Sequence, residues 1–93
     1  MATIIKTDGT CIGVQPKNGT DFQLEELQAF VGGYIEIVHS VYDQTIMVIN
    51  EEGKINGLPE NETATGEARR KGMIHWYDHI VGDVLYCKSK EIK

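Results

Sequence analysis

The chain predicts an α+β domain: a single antiparallel or mixed sheet of about five strands, one main helix packed on one face, and a second, short helix. Three observations carry this prediction. Short β-rich runs recur along the chain, separated by glycine and asparagine turn residues. Only one stretch, 21–31, places apolar residues at helical spacing over more than two turns. Ninety-three residues, 41% apolar and 25% charged, are right for one ordered domain (1–93) and too few for two.

Thr3 to Thr7 is the first β-rich run, and Asp8-Gly9 is a turn pair before Thr10 to Val14 resumes. This predicts an opening hairpin. Pro16 and Asn18-Gly19 then break the pattern, and Thr20 with Gln23 three residues on has the form of a capping box. A helix is expected over Asp21 to Val31, with Leu24, Leu27, Phe30 and Val31 on its buried stripe and Gly32-Gly33 as its stop.

Tyr34 to His39 alternates Ile35 and Ile37 with Glu36, the pattern of a half-buried strand. Thr45 to Ile49 is apolar nearly throughout, as expected of a strand covered on both faces and central to the core. Asn50-Glu51-Glu52-Gly53 has the chemistry of a type I hairpin turn, with Lys54-Ile55 beginning a return strand. Asn61 is placed to cap a short helix through Arg70, which Gly66 weakens by about 1 kcal/mol relative to alanine. Met73 to Tyr77 reads as a strand or extended loop. Ile80 to Cys87 reads as a strand bent at Gly82, and Lys88 to Lys93 as a frayed tail.

Nine Lys and Arg against fourteen Asp and Glu leave a net charge of −5, which excludes a broad basic surface for duplex nucleic acid. The charge is uneven. Residues 1–68 hold three lysines and eleven acids, a net of −8, whereas residues 69–93 hold six bases and three acids, a net of +3. An acidic body with one basic region repels polyanions but still admits a small anion at that region. Met1 to Lys6 lacks the apolar core of a signal peptide and no run is long enough to span a membrane, so a cytoplasmic, membrane-free setting is expected. Cys11 and Cys87 are expected as buried, reduced thiols.

The motifs at Leu27 to Glu36, Val48 to Lys54, Gly57 to Asn61 with Ala64-Thr65, and Asp78 to Leu85 are, in their order, similar to those of the DUF3846 family. That family comprises small proteins of unknown function from bacteriophages, plasmids and other mobile elements. The resemblance spans residues 20–87 and implies an origin in such an element. It carries over no catalytic residue, and this chain departs from the family pattern at Gly66-Glu67.

The segment richest in chemistry is Arg69-Arg70-Lys71 followed by His75, Trp76 and Tyr77. Guanidinium groups fork onto phosphate oxygens and aromatic faces stack on bases, so this set suits a nucleotide-sized anion, with Asn61, Thr63 and Thr65 as added neutral donors. The competing reading has Trp76 and Tyr77 packed on the sheet or against a second subunit, with the cations solvated. His75 and His79, four apart, match a zinc motif poorly, and no metal or other cofactor is expected. No nucleophile elbow or phosphate-binding glycine loop is present.

Three functional readings follow. The first is a non-enzymatic binding protein that sequesters a small nucleotide signal and so blunts an antiviral response. The second is an acidic inhibitor or adaptor that turns residues 1–68 toward a basic host protein. The third is a small nucleotide-acting enzyme with His75 or His79 as acid or base. Self-association is expected, through the aromatic segment or an unprotected edge strand.

Overall fold

A computed structural model describes residues 2–92. The elements, in chain order, are β1 (Ala2–Ile5), β2 (Cys11–Val14), α1 (Leu24–Val31), β3 (Ile35–His39), β4 (Thr45–Asn50), α2 (Glu62–Arg70) and β5 (Val84–Lys88), followed by a short 3-10 turn, Ser89–Glu91. The five strands form one sheet in the order β2-β1-β5-β4-β3, and every pairing is antiparallel. The predicted α+β class and strand number hold.

The two helices lie on opposite faces. Leu27 and Val31 of α1 pack with Phe22 on Ile46, Val48, Leu85 and Cys87. Ala64 and Ala68 of α2 pack on Ile5, Met47 and Val84, the residues that point the other way. Alternation along β4 therefore sends successive side chains into two different cores, which is why its sequence is apolar nearly throughout. The buried residues of α2 are the small ones, Ala64, Thr65 and Ala68.

Several expectations need correction. The α1 cap lies three residues later than predicted. Asn18 Oδ1 accepts from the N–H groups of Thr20 and Asp21, which shapes a turn, and Glu26 then accepts from the N–H of Gln23, the residue that caps the helix. Leu24 is the first residue of the helix, and its side chain is exposed rather than buried with Leu27 and Val31. Lys54-Ile55 is not a return strand, because β4 already pairs with β3 on one side and β5 on the other. The chain instead coils through 51–57, with Asn56 N–H donating to Glu52 O and Leu58 N–H to Gly53 O.

The C-terminal segment is also ordered rather than frayed. Lys88 closes β5, Ile92 bridges to Phe22, and Phe22 N–H donates to Glu91 O at 2.7 Å; Lys93 lies outside the described residues. Cys87 is buried as expected, but Cys11 is exposed on the edge strand β2. The two thiols do not sit on neighbouring strands, since β1 runs between β2 and β5.

Candidate functional site

The segment joining α2 to β5 is pinned at both ends, and its tip projects. Val41 N–H donates to Lys71 O, and Lys71 Nζ pairs with Asp43 at 2.6 Å. At the far end Arg69 donates from Nε and Nη2 to the carbonyl oxygen of Asp78, at 3.2 and 2.8 Å. The Asp78 carboxylate accepts from His79 N–H and from Lys54 Nζ. Between these anchors Asp78 N–H donates to His75 O, closing a turn whose two central residues are Trp76 and Tyr77.

Turn centres ordinarily carry small or polar residues. Here an indole 82% exposed and a phenol 67% exposed occupy them. Tyr77 stacks in parallel on His75, with ring centroids 5.2 Å apart, and meets Trp76 edge-on at 5.7 Å. Neither ring is in the core. The expectation that they pack on the sheet is therefore wrong for both, because the tight turn at 75–78 holds them clear of it.

Beside this turn lies a cavity of about 190 Å³ between β3, β4, the 51–57 coil and the 74–81 segment. Its apolar lining includes Val38, Ile49, Ile74 and Ile80, and its polar lining includes Glu36, Glu51, Asp78, Lys54 and His79. Three carboxylates against one ammonium give the cleft a formal charge of −2, the histidine left uncounted. Lys54 and the His79 N–H hold the Asp78 carboxyl below the usual carboxylate range. None of these lining residues except His79 was prominent in the sequence. They come from three separate stretches of chain, and the Lys54–Asp78 pair spans 24 positions.

The predicted anion site is dispersed. Arg70 pairs with Glu67 at 2.6 Å, Lys71 with Asp43 and Arg69 with a backbone carbonyl, so the three cations point to different partners. Thr63 is exposed on α2. Asn61 and Thr65 are buried and saturated by internal bonds, which takes them out of any surface site. The Asn61 amide donates to Ile5 O and Gly82 O, while the Thr65 hydroxyl donates to Asn61 O and accepts from Ile80 N–H. Of the predicted set, the structure brings the rings of His75, Trp76 and Tyr77 together and ties Arg69 to the end of their turn.

Among the described residues no group of three or more His, Cys, Asp or Glu is arranged to hold a metal, and no helix is long and apolar enough to cross a membrane.

Fold and cleft together define a small α+β domain with a projecting aromatic turn whose flanking residues, Ile74 and Asp78, line an acidic hollow. The chain belongs to the family described as domain of unknown function DUF3846, whose model matches residues 2–92. It is also similar, at 33% identity over 64 residues, to "Non-secreted LysM effector LCP1" of Gibberella moniliformis (strain M3125 / FGSC 7600). That alignment covers 68% of this chain but only 9% of the fungal protein. No solved structure matches.

Proposed function

We propose that this protein is a non-enzymatic binding module that engages a basic segment of a partner protein, taking one cationic side chain into the acidic cleft that adjoins the Trp76-Tyr77 turn. The observation that carries the reading is the conjunction of a −2 cleft with exposed aromatic rings beside it. A Lys or Arg entering there meets carboxylates and an apolar floor for its methylene stem, and the exposed rings of the adjoining turn are available to the residues on either side of it. At about 190 Å³ the cleft is below the ~300–1,000 Å³ of most small-molecule pockets. It suits a single side chain.

A second reading, sequestration of a small anionic nucleotide, draws on one observation: the Trp76 face is open for a base to stack on. Its phosphates would have to displace Glu67 or Asp43 from Arg70 or Lys71.

Trp76 is the sole tryptophan and reports on its own surroundings. Titration with an oligoarginine peptide, an oligoglutamate peptide and a cyclic dinucleotide, read by fluorescence and calorimetry, separates the readings. The first predicts a response to oligoarginine alone, weakened by salt and lost in Trp76→Ala and in Glu36→Gln/Glu51→Gln. A response to the dinucleotide alone favours the second, and silence from all three ligands removes both.

A further inference from the structure

The β3 edge of the sheet is open and built to pair. At its two ends Ser40 N–H donates to Thr45 O and Glu51 N–H donates to Tyr34 O. In the observed register Glu36 and Val38 therefore also turn their backbone groups toward β4, and Ile35, Ile37 and His39 turn theirs to the open side. Among the described residues no loop or side-chain hydrogen bond reaches those three. Protected edges usually carry lysine, proline or a bulge, and Ile35–His39 carries none of them. The opposite edge, β2, is shorter and has Gly13 within it.

Exposed apolar side chains flank β3 at both ends, Tyr34 before it and Val41 and Tyr42 after it. A two-fold axis is the operation that brings one end of a strand against the other end of its copy.

We propose that β3 pairs antiparallel with β3 of a second copy about a two-fold axis through Ile37, joining the two sheets into one of ten strands. Ile37 then exchanges both backbone hydrogen bonds with its own copy, and Ile35 does so with His39 of the other chain. Glu36 faces Val38 of the other chain, so no two like charges are opposed. Tyr34 lies opposite Ser40 of the copy and beside its Val41 and Tyr42, covering the rings left exposed at each end.

The axis stands perpendicular to the sheet, so both acidic clefts open on the same face. Glu36 and Val38 line the cleft of their own chain. Pairing sets each cleft beside Val38 and Glu36 of the other copy, and the dimer presents two adjacent receptors for cationic side chains. The pairing itself is independent of what the cleft binds.

Light scattering on the size-exclusion peak tests the assembly. The wild-type chain is expected at about 21 kDa, twice its 10.4 kDa, at concentrations on the order of 100 μM. Ile37→Pro is expected at the monomer mass, because its N–H serves only the open side and proline at an edge costs no bond to β4. A cysteine scan in a Cys11→Ser background tests the register without relying on that variant's folding. Ile37→Cys should oxidise rapidly to a linked dimer, since a hydrogen-bonded antiparallel pair sets its Cα atoms about 5.5 Å apart, within disulfide reach. Glu36→Cys and Val38→Cys, each opposite the other position and not itself, should link at least ten-fold more slowly. A wild-type chain that stays at monomer mass, whether its edge is bare or takes a strand of another protein, overturns the proposal. So does a scan in which all three positions link equally.

Discussion

The side-chain amide of Asn61 donates at 2.8 Å to the carbonyl oxygen of Ile5, 56 residues earlier, while its Oδ1 accepts from Ala64 N–H and caps α2. A third bond, from Nδ2 to Gly82 O at 2.9 Å, ties in the bend before β5. One fully buried side chain thus joins the end of β1, the start of α2 and the entry to β5.

Asn61→Ala removes a cap worth about 1 kcal/mol and takes a donor from two carbonyls at about 1–3 kcal/mol each, so a loss of roughly 3–7 kcal/mol is expected in urea unfolding. Asn61→Asp discriminates between cap and tie. Aspartate caps as well as asparagine, but it would turn an oxygen toward Ile5 O and Gly82 O. It should therefore rescue nothing. An Asn61→Asp variant close to wild-type stability would show that capping alone matters here.

Gly66 lies in the middle of α2 with ordinary helical backbone, and a Cβ built there meets nothing within 4 Å. Gly66→Ala is expected to stabilise the fold by about 1 kcal/mol, read as a higher urea midpoint at unchanged slope. Gly72→Ala should do the opposite. Its φ is +68° and its Cβ would come within 2.5 Å of Val41 Cγ2, so both backbone strain and a clash oppose it. Adding Val41→Ala should recover the clash and leave the strain.

The parts of this fold that local chemistry governs were legible in the sequence. The Asp8-Gly9 turn, the Gly32 cap, the doubly buried β4 and the Asn61 cap all depend on residues within four positions of one another. The errors came where distant segments decide. Lys54-Ile55 has strand-like neighbours but no free edge to join, and Leu24 keeps helical spacing to Leu27 and Val31 yet, as the first residue of the helix, is exposed. Glu26 accepts from Lys17 N–H nine residues back, as well as from Gln23, and no spacing rule draws attention to that carboxylate. The site divides in the same way. The aromatic cluster is contiguous in sequence and was found, whereas the cleft beside it is assembled from three distant stretches and was not.

Asp43 makes acid sensitivity calculable in sign. Its carboxyl accepts from Lys71 Nζ first and from Thr45 N–H next, and these hold its pKa well below the ordinary 3.8. The folded-state value is the lower one. The associated stability is therefore fully present above the unfolded value of 3.8 and is lost as pH falls through the folded value. Melting temperatures recorded from about pH 7 down to about pH 2 should fall less steeply below pH 4 in Asp43→Asn than in wild type. Some slope will persist, because Asp78 and Glu67 are also lowered, by Lys54 and Arg70 respectively. Because the pair is on the surface, high salt should shrink the difference between the two chains. An Asp43→Asn curve parallel to wild type would mean that Lys71 does not engage Asp43 in solution.

The two cysteines should differ sharply in reactivity, although sequence reading alone treats them alike. Alkylation requires the thiolate and access to it. Cys11 is exposed on the outer strand, whereas Cys87 is buried under α1, and burial, followed by the charge of Glu91, pushes its thiol up to about 12. At about pH 8 the thiolate fraction of such a group is on the order of 10⁻⁴. Intact-mass measurement after iodoacetamide treatment of the native chain should show one adduct, mapped to Cys11. The second adduct should appear only as β5 is released, at a rate that climbs with urea and follows global unfolding. Because β5 is the middle strand of five, its release amounts to dissolving the sheet. Prompt double labelling without denaturant would show instead that this central strand opens on its own, and the two-core packing would have to be redrawn.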